Sequence, residues 1–186
     1  MRTMISLVRE SLATPLGKLL VFSTVDGRLV IVDWLDSLER LRASSVRDRA
    51  LSSARSASSA SAALTALRRY FSGDLQALDG LEVALDGSPL QEQVWAALRA
   101  IPAGQVCSYA ELAAHIGRAG SARAVAAGVA ANALLLVLPC HRVVGANGAL
   151  TGYAAGLERK RWLLEHEGLL PRLMHGASGR ATRVAR

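Results

Sequence analysis

One apolar stretch in the last third of the chain, AVAAGVAANALLLVLP at residues 124–139, limits the possible folds more than any other part of the sequence. It contains no charged residue, is interrupted by Asn132 and is closed by Pro139. A membrane-spanning helix needs about 20 consecutive apolar residues, and this stretch is shorter and broken. The pattern predicts a buried helix followed by a short strand, so we expect a globular core and no membrane partner.

The overall composition is typical of a folded protein with an anionic partner. Of the 186 residues, 51% are hydrophobic, which is enough for a sizeable core. The formal net charge is +7 and the isoelectric point is near 10.4, a balance that favours a polyanion such as nucleic acid. The two cysteines are too few for a disulfide framework or a four-thiolate zinc site, and we expect no metal and no cofactor.

The first ten residues, MRTMISLVRE, bear on where the protein works. They carry charges where a signal peptide has its apolar segment. We therefore expect a cytoplasmic protein, in which a free thiol stays reduced.

The first third of the sequence predicts a β-rich region. In GKLLVFSTVDGRLVIVDW, two apolar, β-branched runs flank Asp26-Gly27, which is a strong hairpin signal. Residues 42–63 are rich in serine, alanine and arginine, and they predict either a mobile loop or the weakly held start of a helix. The segment LTALRRYFSGDL predicts an amphipathic helix that ends at Gly73. Residues 85–90, LDGSPL, resemble a linker.

Beyond this linker the pattern becomes helical. The apolar residues of PLQEQVWAALRAI, at 89–101, share one face of a helix. In SYAELAAHIG, Ser108 and Glu111 have the spacing of a capping box, and we expect Ser121 to cap the helix that follows. Two short helices around a glycine-containing turn are the outline of a helix-turn-helix.

The second helix of this pair consists almost entirely of small side chains. From residue 122 to 131 its single charged residue is Arg123, and the others are alanine, valine and glycine. Small side chains permit the close approach of another helix or of DNA, and the sequence leaves both explanations open. Against DNA, Arg123 would be the one long cation able to project into a groove.

Cys140 and His141 stand side by side immediately after the apolar stretch. Such a pair can simply be a small buried hydrophobe beside a structural histidine. A chemical role requires a thiolate, and therefore a base or a lowered thiol pKa. On an extended segment the two side chains point to opposite sides, so His141 would not touch the sulfur directly. If the chain turns here instead, a bridging water could connect them. An acid that orients His141 must come from elsewhere, and the downstream candidates are Glu158, Glu165 and Glu167. This logic fits a thiol hydrolase or an alkyl-accepting thiol.

Five motifs then carry a family resemblance. PCHRV, with SYAELA and ARAV before it and GY and LLEHEG after it, resembles the O6-alkylguanine-DNA alkyltransferases, also called methylated-DNA–protein-cysteine methyltransferases. The match spans about residues 86–169. It implies an α/β N-terminal domain at 1–85, ribonuclease H-like with a small antiparallel sheet plus helix. It also implies a mostly α, winged helix-turn-helix-like C-terminal domain at 86–170 that carries the active site, followed by a basic, disordered tail at 171–186.

The function implied by this resemblance is the repair of DNA by direct damage reversal. A methyl or other alkyl group on O6-alkylguanine, or on O4-alkylthymine, would move irreversibly to Cys140 in a single turnover. The partner would be double-stranded DNA with a flipped-out alkylated base, bound by a monomer. His141 would be the base, acting through a water, and Glu167 would orient it. Tyr109 would contact the guanine, and Arg123 would fill the gap in the duplex.

The same resemblance implies roles for further residues. Asn132 would be the hinge that ties the helix-turn-helix to the active-site segment, and Arg142 is expected to secure the local fold. The residues expected to lie against DNA beside Arg123 are Ser121, Ala122, Ala126 and Ala127. The residues expected to border the substrate pocket are Pro139, Val143, Tyr153, Ala154, Ala155 and Lys160. Residues that depart from the glycine or proline frequent in the family are Ala126, Ala131, Ala133 and Ala155.

Three other functions fit part of the pattern. Lesion-binding relatives without repair activity lack the cysteine, so Cys140 argues against that function. A transcriptional activator of the adaptive response would need a cysteine-rich sensing domain, which is absent from this sequence. A thiol hydrolase would turn over repeatedly, whereas an alkyl-accepting thiol stops after one event. Cys107 is expected to be a packing residue, and the remaining histidines, His115, His166 and His175, have no metal-ligand spacing.

Overall fold

The computed structural model describes residues 6–38 and 51–169. These residues divide into two compact units at Leu85 and Asp86, and the short segment Ala133–Val137 belongs to the first unit. The segment predicted as a loop or helix start lies partly, and the predicted tail wholly, outside the described residues.

A four-stranded sheet organises the first unit. Its strands are β1 (Leu7–Thr14), β2 (Gly17–Thr24), β3 (Leu29–Trp34) and β4 (Arg55–Ser56), in the order β3-β2-β1-β4. The first three strands are antiparallel, whereas β4 pairs in parallel with β1. The hairpin predicted at Asp26-Gly27 is confirmed, because β2 and β3 flank it and Gly27 has a φ of +91°.

The first unit also contains a helix of ten residues. It is α1 (Ala62–Phe71), which starts where the Ser61 hydroxyl accepts a hydrogen bond from the Leu64 N–H. The predicted end at Gly73 is confirmed, since this residue takes a φ of +104° just after the helix. The buried Glu10 of β1 accepts a hydrogen bond from the Ser61 N–H at 2.7 Å. A carboxylate of the sheet thus satisfies a free N–H group at the start of α1.

Four helices form most of the second unit. They are α2 (Pro89–Arg99), α3 (Tyr109–His115), α4 (Ala122–Ala130) and α5 (Leu157–His166). The capping box predicted from Ser108 and Glu111 is confirmed. The prediction that Ser121 caps α4 is wrong: its backbone, with φ −97° and ψ 29°, is not extended as a capping serine requires, and its side chain makes no capping bond.

The small residues of α4 allow it to pack closely on α2. A Cβ atom on Gly128 would lie 3.1 Å from Cγ2 of the buried Val94. The indole N–H of Trp95 donates to the Gly128 carbonyl at 3.0 Å. Helix packing therefore explains the inner face of α4, while Arg123 and Ala127 on another face are exposed.

The segment after α4 forms a turn instead of the predicted short strand. Only Leu134 forms a bridge, to Val32 of β3, and the following residues turn. Leu136 is buried and has a φ of +74°, a left-handed conformation that costs a leucine about 1–2 kcal/mol. The expectation of a strand was wrong because this turn brings the chain back towards Asn132. Within the described ranges, no helix is long and apolar enough to cross a membrane.

Candidate active site

Cys140 opens a short 3-10 turn, Cys140–Arg142, that begins directly after Pro139. Of the two conformations that the sequence left open here, extended or turning, the structure has the turn, because the Arg142 N–H donates back to the Pro139 carbonyl at 3.0 Å. The turn leads into β6 (Val143–Val144), which pairs in parallel with β5 (Cys107–Ser108). Cys140 is buried, with 3% of its surface exposed. The sulfur therefore lies inside the unit, at a fixed place on the backbone.

Asn132 contacts this turn from the end of α4. Its side chain is buried, and its Nδ2 donates to the Leu138 carbonyl at 2.9 Å and to Sγ of Cys140 at 3.1 Å. A hydrogen bond to sulfur favours the thiolate over the thiol. Asn132 thus lies where the sequence-based hypothesis expected a hinge, with a direct bond to the sulfur in addition.

His141 and Glu167 form a buried pair. Nε2 of His141 lies 2.9 Å from Oε1 of Glu167, and both side chains are inaccessible to solvent. Glu167 immediately follows α5, and the other two acidic candidates, Glu158 and Glu165, are exposed. Among the described residues, none hydrogen-bonds to Nδ1 of His141. The second ring nitrogen is therefore free to accept a proton.

The Arg142 side chain binds the same carboxylate. Its Nε donates to Oε2 of Glu167 and its Nη2 to Oε1, each at 2.9 Å, while its Nη1 donates to the Ile101 carbonyl at 2.5 Å. This contact was missed in the sequence analysis, because Glu167 is far from Arg142 along the chain. The adjacency of Arg142 to His141 was the only available signal.

Burial and charge set the protonation states of this cluster. Burial lowers the pKa of His141, although the bond to Glu167 acts in the opposite direction. Burial alone would raise the pKa of Glu167, but the bonds from His141 and Arg142 hold that pKa well below its usual range. At neutral pH the carboxylate is therefore ionised and the imidazole is neutral. In this state Nε2 donates to Glu167 and Nδ1 is a proton acceptor.

Tyr109 lies at the start of α3, close enough to the sulfur to sense its charge. Burial raises the pKa of the Tyr109 phenol, a negative charge on Cys140 raises it further, and a hydrogen bond with Thr151 lowers it. Tyr153 packs its ring edge-on against His141, with 6.4 Å between the ring centres. Both aromatic residues are half-buried, so the cluster opens towards solvent on their side.

Lys160 holds the loop that precedes α5. Its buried Nζ donates to three carbonyls, those of Val143 at 2.5 Å, Thr151 at 2.6 Å and Gly152 at 3.0 Å. Burial lowers the pKa of Lys160 to about 8. The remaining residues predicted for the pocket are the buried Pro139, Val143 and Ala155 and the half-buried Ala154.

The residues predicted to face DNA lie on or next to α4. Arg123 and Ala127 are exposed, and Ser121, Ala122 and Ala126 are half-buried. In the part of the chain that the structure describes, Arg123 forms no ion pair. In the same part, no three His, Cys, Asp or Glu residues come together as a metal site would require.

The two cysteines are expected to differ in reactivity. Burial, and then the charge of Glu111, raise the pKa of Cys107 to about 11, so this thiol is almost fully protonated at pH 7.5. Cys140 accepts a hydrogen bond from Asn132 and directly precedes His141, whose neutral imidazole can take up a proton. We expect iodoacetamide to modify Cys140 at least about tenfold faster than Cys107. Peptide mass spectrometry measures the two rates, with Cys107→Ala as the control, and faster labelling of Cys107 would contradict the assignment.

Two family models match the chain and together span most of it. Residues 7–85 match the 6-O-methylguanine DNA methyltransferase ribonuclease-like domain, and residues 89–169 match the DNA-binding domain of the same family. A methylated-DNA–protein-cysteine methyltransferase of Salmonella typhimurium is 47% identical over 170 residues, which cover 90% of this chain and 99% of the relative. One of Mycobacterium tuberculosis is 48% identical over 107 residues, covering 58% of this chain and 64% of the relative.

Solved structures give the same result. The O6-methylguanine methyltransferase of Mycobacterium tuberculosis superposes with a TM-score of 0.69 at 33% identity, covering 88% of this chain and 92% of that one. The Mycobacterium tuberculosis OGT protein in complex with DNA gives a TM-score of 0.71 at 32% identity, covering 91% of this chain and 98% of that one. The predicted fold class, a ribonuclease-like domain followed by a mostly helical DNA-binding domain, is confirmed. The chain belongs to the methylated-DNA–protein-cysteine methyltransferase family.

Proposed function

We propose that this protein repairs alkylated DNA by moving the alkyl group from O6 of guanine, or from O4 of thymine, to Cys140. The observation that carries the proposal is the site itself: a buried sulfur bonded to Asn132, a neutral imidazole with a free Nδ1, and a phenol beside the sulfur. These groups supply a nucleophile, a base and an acid within one cluster. The names of its relatives point to the same reaction.

The proposed reaction is an in-line displacement. His141 takes the thiol proton of Cys140 through a water at Nδ1, and the thiolate forms a bond to the alkyl carbon. The bond between that carbon and O6 breaks, its electron pair goes to the guanine, and the Tyr109 hydroxyl offers a proton to the departing base. The product is a thioether on Cys140. No group in the described site offers a route from this thioether back to the thiol, so one molecule repairs one lesion.

The proposed substrate is a flipped-out base in double-stranded DNA. Guanine O6 lies within the base stack, so the nucleotide must leave the duplex to reach a buried sulfur. Arg123 would fill the gap, and Ser121, Ala122, Ala126 and Ala127 would approach the backbone of the groove. Pro139, Val143, Tyr153, Ala154 and Ala155 would border the alkyl group, and Lys160 would hold the loop beside it. We assign these tasks to residues 86–170 of a monomer that acts in the cytoplasm, and we assign residues 1–85 to the ribonuclease-like domain.

Intact-mass measurement tests the proposed function. The full chain is incubated with a duplex that contains O6-methylguanine, and we expect the mass of one methyl group on wild-type protein and none on Cys140→Ser. The Cys107→Ala protein should gain the methyl group normally, and an unmethylated duplex should add nothing. Excess substrate distinguishes alkyl transfer from the rival thiol hydrolase, because a hydrolase would release many product molecules per protein molecule. Absence of the adduct on wild type would contradict the proposal.

A further inference from the structure

We propose that Arg142 is a positioning residue for this reaction: it balances the charge of Glu167 so that His141 stays a neutral imidazole, able to take up the thiol proton. The inference rests on the proposed function. It goes beyond the expectation that Arg142 only secures the local fold, and it assigns to that side chain an effect on the base.

The geometry fixes the carboxylate from two sides. Arg142 binds both oxygens of Glu167, and Oε1 also lies 2.9 Å from Nε2 of His141. The third nitrogen of the guanidinium is anchored to the Ile101 carbonyl just beyond the end of α2. Because a guanidinium is planar and binds a carboxylate with two parallel bonds, it sets the plane of Glu167 as well as its place. That plane determines whether Oε1 points at the histidine ring.

The charges around His141 show why Glu167 without Arg142 would not keep this histidine available as a base. An ionised Glu167 alone would stabilise a positively charged imidazolium, and a histidine that already carries a proton cannot act as a base. Arg142 places a permanent positive charge on the same carboxylate. Lys160 of α5 is a second cation near the ring, and it also disfavours the charged histidine.

The other groups that face His141 do not reverse this balance. Cys140 precedes it in the 3-10 turn, and the half-buried Tyr153 contacts the ring by its edge. Among the described residues that influence the ring, Glu167 is the anion and Arg142 and Lys160 are the cations. A charged His141 would therefore be a third cation against a single carboxylate in a buried site. This arrangement favours the neutral ring at physiological pH.

The test follows the protonation of His141 directly in the full-length protein. NMR titration of the histidine ring signals gives its midpoint, and the spectrum of His141→Gln identifies the signal among those of the four histidines. In wild type we expect a midpoint below the ordinary value of about 6.5. In Arg142→Gln, which loses the charge and keeps a polar side chain, we expect the midpoint to rise by about one pH unit or more. Arg142→Lys, which keeps the charge, should stay nearer to wild type.

Arg28→Gln is the matched control, because Arg28 pairs with Asp26 on the surface of the other unit. Its His141 midpoint should equal that of wild type. An Arg142→Gln protein that is folded and titrates like wild type would overturn the inference, since loss of a merely structural contact lowers stability without moving the midpoint. If Arg142→Gln does not fold, wild type still tests the inference: a His141 midpoint at or above about 6.5 contradicts it, because the ring would then not be held neutral as proposed.

Transfer kinetics add the functional consequence. The single-turnover rate on an O6-methylguanine duplex should fall on the acid side about one pH unit earlier in Arg142→Gln, which is about a tenfold loss at a pH below both midpoints. A wild-type protein that accepts no alkyl group would contradict the proposed function. The NMR titration would still decide the charge balance at His141, so the two failures can be told apart.

Discussion

Replacing Glu167 by glutamine is expected to slow alkyl transfer about 10²–10⁴-fold and to destabilise the second unit by about 3–5 kcal/mol. The Glu167 carboxylate can only accept a hydrogen bond, so it keeps the proton of the neutral His141 on Nε2 and leaves Nδ1 as the acceptor. Glutamine can also donate, so it holds this tautomer less well and transfer slows. Stability falls because the buried Arg142 loses the counter-charge that both of its bonds to Glu167 supply. Single-turnover kinetics and thermal unfolding measure the two effects.

Glu165→Gln is the control for this change. It removes the same charge two residues away, from an exposed position on α5, and it should alter both quantities little. At a temperature where Glu167→Gln is folded, DNA affinity should be nearly that of wild type. If affinity and transfer fall by the same factor, Glu167 acts only through the fold and its role beside His141 is wrong.

The loss of stability in Glu167→Gln should also depend on pH. The folded pKa of Glu167 is lowered, so its contribution to stability is complete above the ordinary glutamate pKa of about 4.3. The contribution is then lost as the pH falls further towards the folded pKa. The difference in stability between wild type and Glu167→Gln should therefore be largest near neutrality and shrink in acid.

Replacing Arg123 by alanine is expected to slow repair of duplex O6-methylguanine about 10–100-fold. Arg123 is exposed on a helix of small residues, and we assign to it the gap that the extruded nucleotide leaves. Base extrusion costs a few kcal/mol, part of which Arg123 would offset by filling the gap. Each 1.4 kcal/mol of this stabilisation that is lost slows duplex repair about tenfold. A free base needs no extrusion, so reaction with O6-benzylguanine should be almost unchanged, provided that the methyl group of Ala155 leaves it room.

The ratio of the rates on the O6-methylguanine duplex and on free O6-benzylguanine distinguishes two roles for Arg123. A residue that fills the gap in the duplex (a finger) affects only the duplex reaction, whereas a phosphate contact affects DNA affinity in general. Arg118→Ala is the matched control, since it removes an exposed cation from the turn before α4. We expect it to lower affinity for damaged and intact DNA equally, in a salt-dependent way. If Arg123→Ala slows both substrates by the same factor, Arg123 supports the pocket or the fold, and its assignment as a finger is wrong.

The sequence predicted elements that depend on local signals and failed where contacts distant along the chain decide. The hairpin at Asp26-Gly27 and the capping box of Ser108 were predictable, because turn and cap preferences act over a few residues. Strand β4 has two residues and exists only by pairing with β1, so no periodicity could predict it. The apparent strand after Asn132 became a turn because its pairing with β3 is confined to residues 133–135, around a single bridge at Leu134.

The site shows the same division. The PCHRV motif identified Cys140 and His141. The 3-10 turn that this motif adopts depends on hydrogen bonds of the folded chain, which the motif does not show. Spacing alone could not rank the three acidic residues, and the family resemblance pointed to Glu167. In the structure Glu167 is buried and lies 2.9 Å from His141, whereas Glu158 and Glu165 are exposed. The second bond of Asn132, to the sulfur itself, likewise needed coordinates.

The close packing of α2 against α4 determines which positions of α4 can accept a larger residue. At Gly128 any side chain would press on Val94, so this face of α4 tolerates almost no substitution. Ala124 and Ala127 are exposed, and a longer residue at either position costs no packing. If α4 contacts DNA as proposed, substitutions at these two alanines can adjust that contact while the packing of α2 against α4 stays intact.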